Sequence, residues 1–81
     1  MTFEPASHLL AFVLPMSFRK GDVTFSSASR SGEVVQVPIP PTNQPRHVVS
    51  TAQLARGWWK AIVNWSDGYQ QYLEEKEIFV A

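Results

Sequence analysis

The sequence predicts an all-β fold, a small antiparallel β-sandwich of the immunoglobulin-like type with about six or seven short strands. Three observations predict it. Short runs of β-branched and aromatic residues recur along the chain, each closed by proline, glycine or a serine cluster. Inside them apolar and polar side chains alternate, as in Asp22-Val-Thr-Phe-Ser26. The last third, Arg56 to Val80, holds all three tryptophans and both tyrosines in two such runs separated by Asp67-Gly68. An Asp-Gly pair readily takes the positive φ angles of a type I′ turn, so this segment reads as a strand, a two-residue loop and a second strand. A small barrel satisfies the same pattern, and the sequence leaves that choice open.

The elements follow in chain order. Met1 to Ser7 contains Pro5 and little pattern, and reads as an irregular lead-in to one domain spanning residues 1–81. His8 to Leu14 is a strand apolar on both faces, which suits a central position, and Pro15 ends it. Asp22 to Ser26 is half-buried, with Val23 and Phe25 inward. Ser26 to Gly32, with Arg30, is a serine-rich loop. Glu33 to Ile39 places Val35, Val37 and Ile39 on one face, and Pro38 inside it indicates an edge strand or a strand end. Pro40 to Pro45 is a stiff loop. Arg46 to Ser50 is a short fourth strand. Ser50 to Gly57 looks helical but is too short to stand alone, so one turn is expected there.

In the closing hairpin, a two-residue loop pairs Ser66 with Tyr69. Counting back, Val63 opposes Tyr72, Ile62 opposes Leu73 and Lys60 opposes Glu75. Ala61 then meets Glu74, which a bulge between Glu74 and Glu77 would relieve. Trp59, Ala61, Val63 and Trp65 share one face, read as core. Trp58, Lys60, Ile62 and Asn64 share the other.

Composition bounds the function. A chain of 81 residues makes one small domain with a thin stability margin. It has no cysteine, so neither a disulfide nor a thiolate metal site supplements the core. Seven basic and seven acidic side chains give zero formal charge. That argues against nucleic-acid binding and against a polybasic membrane anchor, and leaves weak homo-oligomerisation open. The longest apolar run, Leu9 to Leu14, is far short of the roughly 20 residues that cross a bilayer, and it lacks the flanks of a signal peptide. If the parent protein is membrane-anchored, the anchor lies upstream.

The end of the chain resembles the C-terminal domain of the FixH family. The resemblance runs through a strand ending at Leu14-Pro15, then Gly21-Asp-Val-Thr-Phe25 and Val37-Pro38-Ile39. It continues with Leu54-Ala-Arg-Gly-Trp-Trp-Lys-Ala-Ile-Val-Asn-Trp65, Asp67-Gly68, Tyr72 and Glu75 to Ile78. Gly57, Trp59, Trp65 and Tyr72 match the family pattern of glycine-x-tryptophan, an alternating strand ending in tryptophan, a polar turn and a tyrosine. Where many members carry an aromatic-Arg-Pro-Ser-Asp-like segment, this chain reads Ser26-Ser-Ala-Ser-Arg30. The resemblance implies an extracytoplasmic, periplasmic β-sandwich whose parent has one membrane helix. It also implies a role in assembly or maturation of a cbb-type cytochrome oxidase, in the setting of nitrogen fixation, with oxidase subunits or a copper-transporting ATPase as partners.

Sought residue by residue, chemistry is sparse. His8, Met16, His47 and Met1 are weak metal candidates, since copper(I) takes thioether and imidazole ligands. They form no spaced motif, and the ordinary reading is a surface histidine and a gap-filling core methionine. No cofactor is expected. Glu74, Glu75, Glu77 and Asp67 supply carboxylates, but with Lys60 and Lys76 at hand they read as a solvated charged strand. There is no nucleophile elbow and no phosphate loop. The expectation is a non-enzymatic domain. Trp58, Lys60 and Ile62 are the candidate partner-binding residues, because an apolar patch on the outer face of a strand marks a contact site. A generic carbohydrate- or protein-binding module and a copper-handling domain are the alternatives.

Overall fold

The computed structural model describes residues 1–28 and 32–81. Among them seven strands form: β1 (Thr2–Glu4), β2 (Leu9–Val13), β3 (Lys20–Ser27), β4 (Val34–Ile39), β5 (Arg46–Ser50), β6 (Gly57–Ser66) and β7 (Gln71–Val80). They make two antiparallel sheets, ordered β1-β2-β5 and β4-β3-β6-β7. The chain crosses between sheets after β2, β4 and β5 and stays within the larger sheet for the β3–β4 and β6–β7 hairpins. This is a three-on-four β-sandwich with immunoglobulin-like connectivity. Residues 29–31 of the serine-rich loop, Arg30 included, lie outside the described residues.

The core follows the alternation in the sequence. Leu10 and Phe12 of β2 and Val49 of β5 face Val23 and Phe25 of β3, Ile39 of β4, Trp59, Ala61 and Val63 of β6, and Ile78 and Val80 of β7. Each set occupies every second position of its strand, so one sheet face is dry and the other wet. Trp59 is the largest fully buried side chain, and its indole Nε1 donates to the Ala55 carbonyl at 2.8 Å. That bond lets a tryptophan sit at the centre with its one polar atom satisfied.

Several expectations need correction. Thr2–Glu4 is a strand, pairing Phe3 with Leu10, so the lead-in is shorter than expected and Arg46–Ser50 is the fifth strand. A three-residue edge leaves too little alternation to read. β3 begins at Lys20, so Gly21 lies inside a strand. A Cβ on Gly21 would stand 2.9 Å from the Asn64 carbonyl oxygen and 3.0 Å from the Trp65 Cβ, so it is close approach that requires glycine. β2 is central in its sheet, but Val13 on its outer face is 69% exposed. By contrast, the single turn expected between Ser50 and Gly57 does form, closed by the Leu54 N–H donating to the Thr51 carbonyl.

The hairpin loop is longer than expected. Ser66 pairs with Gln71, and Asp67 to Gln70 form a four-residue loop. The Asp67 carboxylate accepts from the backbone N–H groups of Tyr69 and Gln70 at 2.9 and 2.8 Å, and the Ser66 hydroxyl accepts from Gly68 N–H at 3.0 Å. Within the loop Gly68 alone has positive φ, at 96°, whereas a type I′ turn needs two such residues. Side-chain capping by Asp67 therefore displaces the tight turn. The register moves by two residues, which preserves every facing because the strand period is two. Lys76, not Glu74, now opposes Ala61, and the ladder runs without a bulge from Gly57↔Val80 to Ser66↔Gln71.

Candidate functional site

Even-numbered residues of β6 face away from the core, because the odd-numbered Trp59, Ala61 and Val63 fill it. The structure thus brings Trp58, Lys60 and Ile62 together in one row along the outer face of the larger sheet. Neighbouring strands widen the row into a surface. Phe79 lies opposite Trp58, Glu77 opposite Lys60 and Glu75 opposite Ile62 on one side; Ser26 and Thr24 flank Lys60 and Ile62 on the other.

Trp58 and Phe79 are about half exposed, at 51% and 49%, with ring centroids 5.2 Å apart and planes tilted by 59°. A tilted contact at this distance suits the ring quadrupoles and holds both side chains in place. Ile62 is half-buried between its neighbours. Lys60 Nζ lies 3.7 Å from Glu75, one step diagonal to its direct partner Glu77, so the expected ion pair forms in a shifted register. Both side chains are about half exposed, and such a pair adds little stability. Ala28, Trp58, Trp59, Lys60 and Glu77 line a recess of about 220 Å³ beside the aromatic pair. Phe79 was missed from the sequence because a register two residues short sets Trp58 against Glu77.

Trp65 and Tyr72 stand at the other end of the hairpin. Trp65 is half-buried at the rim of the core, not at its centre as the sequence suggested, and it stacks on Tyr72 at 4.2 Å with an 18° interplanar angle. The Tyr72 hydroxyl donates toward Asp67 Oδ2 at 3.4 Å and Gln70 Oε1 at 3.0 Å. The backbone N–H groups of Gln70 and Tyr69 hold the Asp67 carboxyl below the usual aspartate value of 3.8. Partial burial, then the negative charge of Asp67, push the Tyr72 hydroxyl above its usual 10.0.

The metal candidates do not converge. His8, at φ 55°, and Met16 flank opposite ends of β2, and Met16 is 64% exposed, not a core residue. His8 is exposed, as an ordinary surface histidine is, whereas His47 is buried. Its ring stacks on Phe12 at 5.7 Å and meets Phe18 edge-on at 5.4 Å, a packing role on the inner face of β5. Among the described residues no group of three His, Cys, Asp or Glu side chains is placed to hold a metal ion. Glu74 lies 3.5 Å from the Met1 amino group and Glu75 near Lys60, so the carboxylates of β7 are spread over both faces of one strand. No helix of the described residues is long and apolar enough to cross a membrane.

No protein-family model, curated protein or solved structure matches the chain.

Proposed function

We propose that this domain is a non-catalytic contact module of the FixH type, serving assembly or maturation of a cbb-type cytochrome oxidase. It acts on the extracytoplasmic side of the cytoplasmic membrane, with oxidase subunits or a copper-transporting ATPase as partners, and Trp58, Lys60 and Ile62 form the centre of the contact. One observation carries the contact reading: two large aromatic rings, Trp58 and Phe79, stand half exposed and in mutual contact on the β6–β7 ladder beside a recess. Preorganised tryptophan bordered by charged residues is typical of the few residues that dominate a protein interface. The oxidase assignment rests on the resemblance, which runs from the strand ending at Leu14-Pro15 to Ile78. Trp59, Trp65 and Tyr72, which that resemblance shares, have packing roles here. Trp58, Lys60 and Ile62 are left to serve the partner.

Site-specific photocross-linking tests it. A photoreactive residue placed at Trp58 or Lys60 in cells making the oxidase should capture an oxidase subunit or the ATPase. The same residue at Val48, on the outer face of the other sheet, should not. Absence of both partners from the adducts at positions 58 and 60 refutes the proposal.

A further inference from the structure

We propose that β7 accepts an added strand, an extended basic segment of the partner protein pairing with its outer edge. The inference rests on the reading of this domain as a protein-contact module, and it specifies the chemistry of the segment bound.

β7 is the last strand of the larger sheet and, among the described residues, pairs only with β6. Alternate residues of an antiparallel strand direct their N–H and C=O groups to one neighbour, and the residues between direct theirs to the other side. Along Gln71–Val80, ten residues, that leaves a long row of main-chain donors and acceptors facing away from β6. The other edges are poorer templates. β1 spans three residues and β5 five, while Pro38 removes a donor from β4. β7 has no proline, and its ladder to β6 has no bulge.

Charge selects the occupant. Glu74, Glu75 and Glu77 outweigh Lys76 in the middle of the strand. Charged edges keep like strands apart. A second copy brings the same negative excess, whereas a strand of opposite sign is attracted. On the outer face β7 presents Leu73, Glu75, Glu77 and Phe79, two carboxylates between apolar residues that are 62% and 49% exposed. The complementary strand carries an apolar residue, two lysines or arginines at alternate positions, and a second apolar residue. Main-chain pairing then gives the affinity and these alternate side chains the selectivity.

The test uses the whole chain and a synthetic nine-residue peptide in which threonine alternates with valine, lysine, lysine and valine. Amide hydrogen exchange followed by NMR should slow at alternate residues of β7 and nowhere else. The double variant Glu75→Lys, Glu77→Lys should bind roughly tenfold more weakly, and the peptide N-methylated along its pairing edge should not bind. Unchanged β7 exchange at millimolar peptide overturns the inference. So does equal binding of the N-methylated peptide, or β7 protection that appears without peptide as the chain dimerises. Peptide pairing retained in a chain that cross-links no oxidase partner supports strand addition and refutes only the oxidase reading. Cross-linking retained without peptide pairing refutes strand addition alone.

Discussion

The Trp65 ring lies 4.2 Å from that of Tyr72, directly across the β6–β7 ladder, with the two planes 18° apart. This pair closes the end of the core next to the Asp67–Gln70 loop, and the Tyr72 hydroxyl ties it to that loop. Stacked aromatic pairs contribute about 0.5–1.5 kcal/mol beyond their buried area. A double-mutant cycle of Trp65→Ala and Tyr72→Ala, read by urea denaturation, should give a coupling of about 1 kcal/mol. Strictly additive losses would show that the stack is incidental.

The two adjacent tryptophans should behave oppositely. Trp59→Ala removes a fully buried ring and leaves the Ala55 carbonyl without its donor, a loss of about 3–5 kcal/mol, enough to unfold much of so small a domain. Trp58→Ala removes a half-exposed ring and its contact with Phe79, a loss of about 1 kcal/mol. Thermal melts of the two variants compare them. Equal drops in Tm would place Trp58 in the core and remove it from the contact surface.

The hairpin loop should make stability depend on pH at both extremes. The folded-state pKa of Asp67 is depressed, so its contribution is present above the unfolded value near 3.8 and is lost as pH falls through the folded value. The folded-state pKa of Tyr72 is raised, so its contribution is present below 10.0 and is lost as pH rises through the folded value. Asp67→Asn should flatten the acid limb of a Tm–pH profile below 3.8, and Tyr72→Phe the alkaline limb above 10.0. Profiles parallel to that of the unsubstituted chain would show that neither group is linked to folding.

Gly21→Ala should cost about 1–3 kcal/mol, as overpacking does. The added methyl would meet the backbone carbonyl of Asn64 and the Trp65 Cβ on the facing strand, and the Phe18 ring at 3.2 Å, so little of its surroundings can yield. The denaturation midpoint measures it. An unchanged midpoint would mean that β3 and β6 separate there without strain.

Much of the fold was legible because alternation with period two states which side chains are inward. It identified Val23, Phe25, Val35, Val37, Ile39, Trp59 and Val63 without reference to their partners. Pro38 marked either an edge strand or a strand end by chemistry alone, and β4 is an edge strand. The burial of His47 was not legible, because a polar side chain in a short strand says nothing about the two phenylalanines that meet it from elsewhere in the chain. Met16 was misread for the converse reason, since its apolar side chain lies in an exposed turn.

The sequence by itself determined the all-β class, the facing of each residue in β6 and the outward row of Trp58, Lys60 and Ile62, because facing depends only on parity along one strand. The tertiary structure decided what stands beside that row. Asp67 caps four loop residues where Asp-Gly alone suggested two, and the resulting shift by an even number of residues kept every facing while exchanging every partner. That shift set Phe79 against Trp58 and Tyr72 against Trp65. Cross-strand neighbours depend on loop geometry and strand pairing, which parity does not encode.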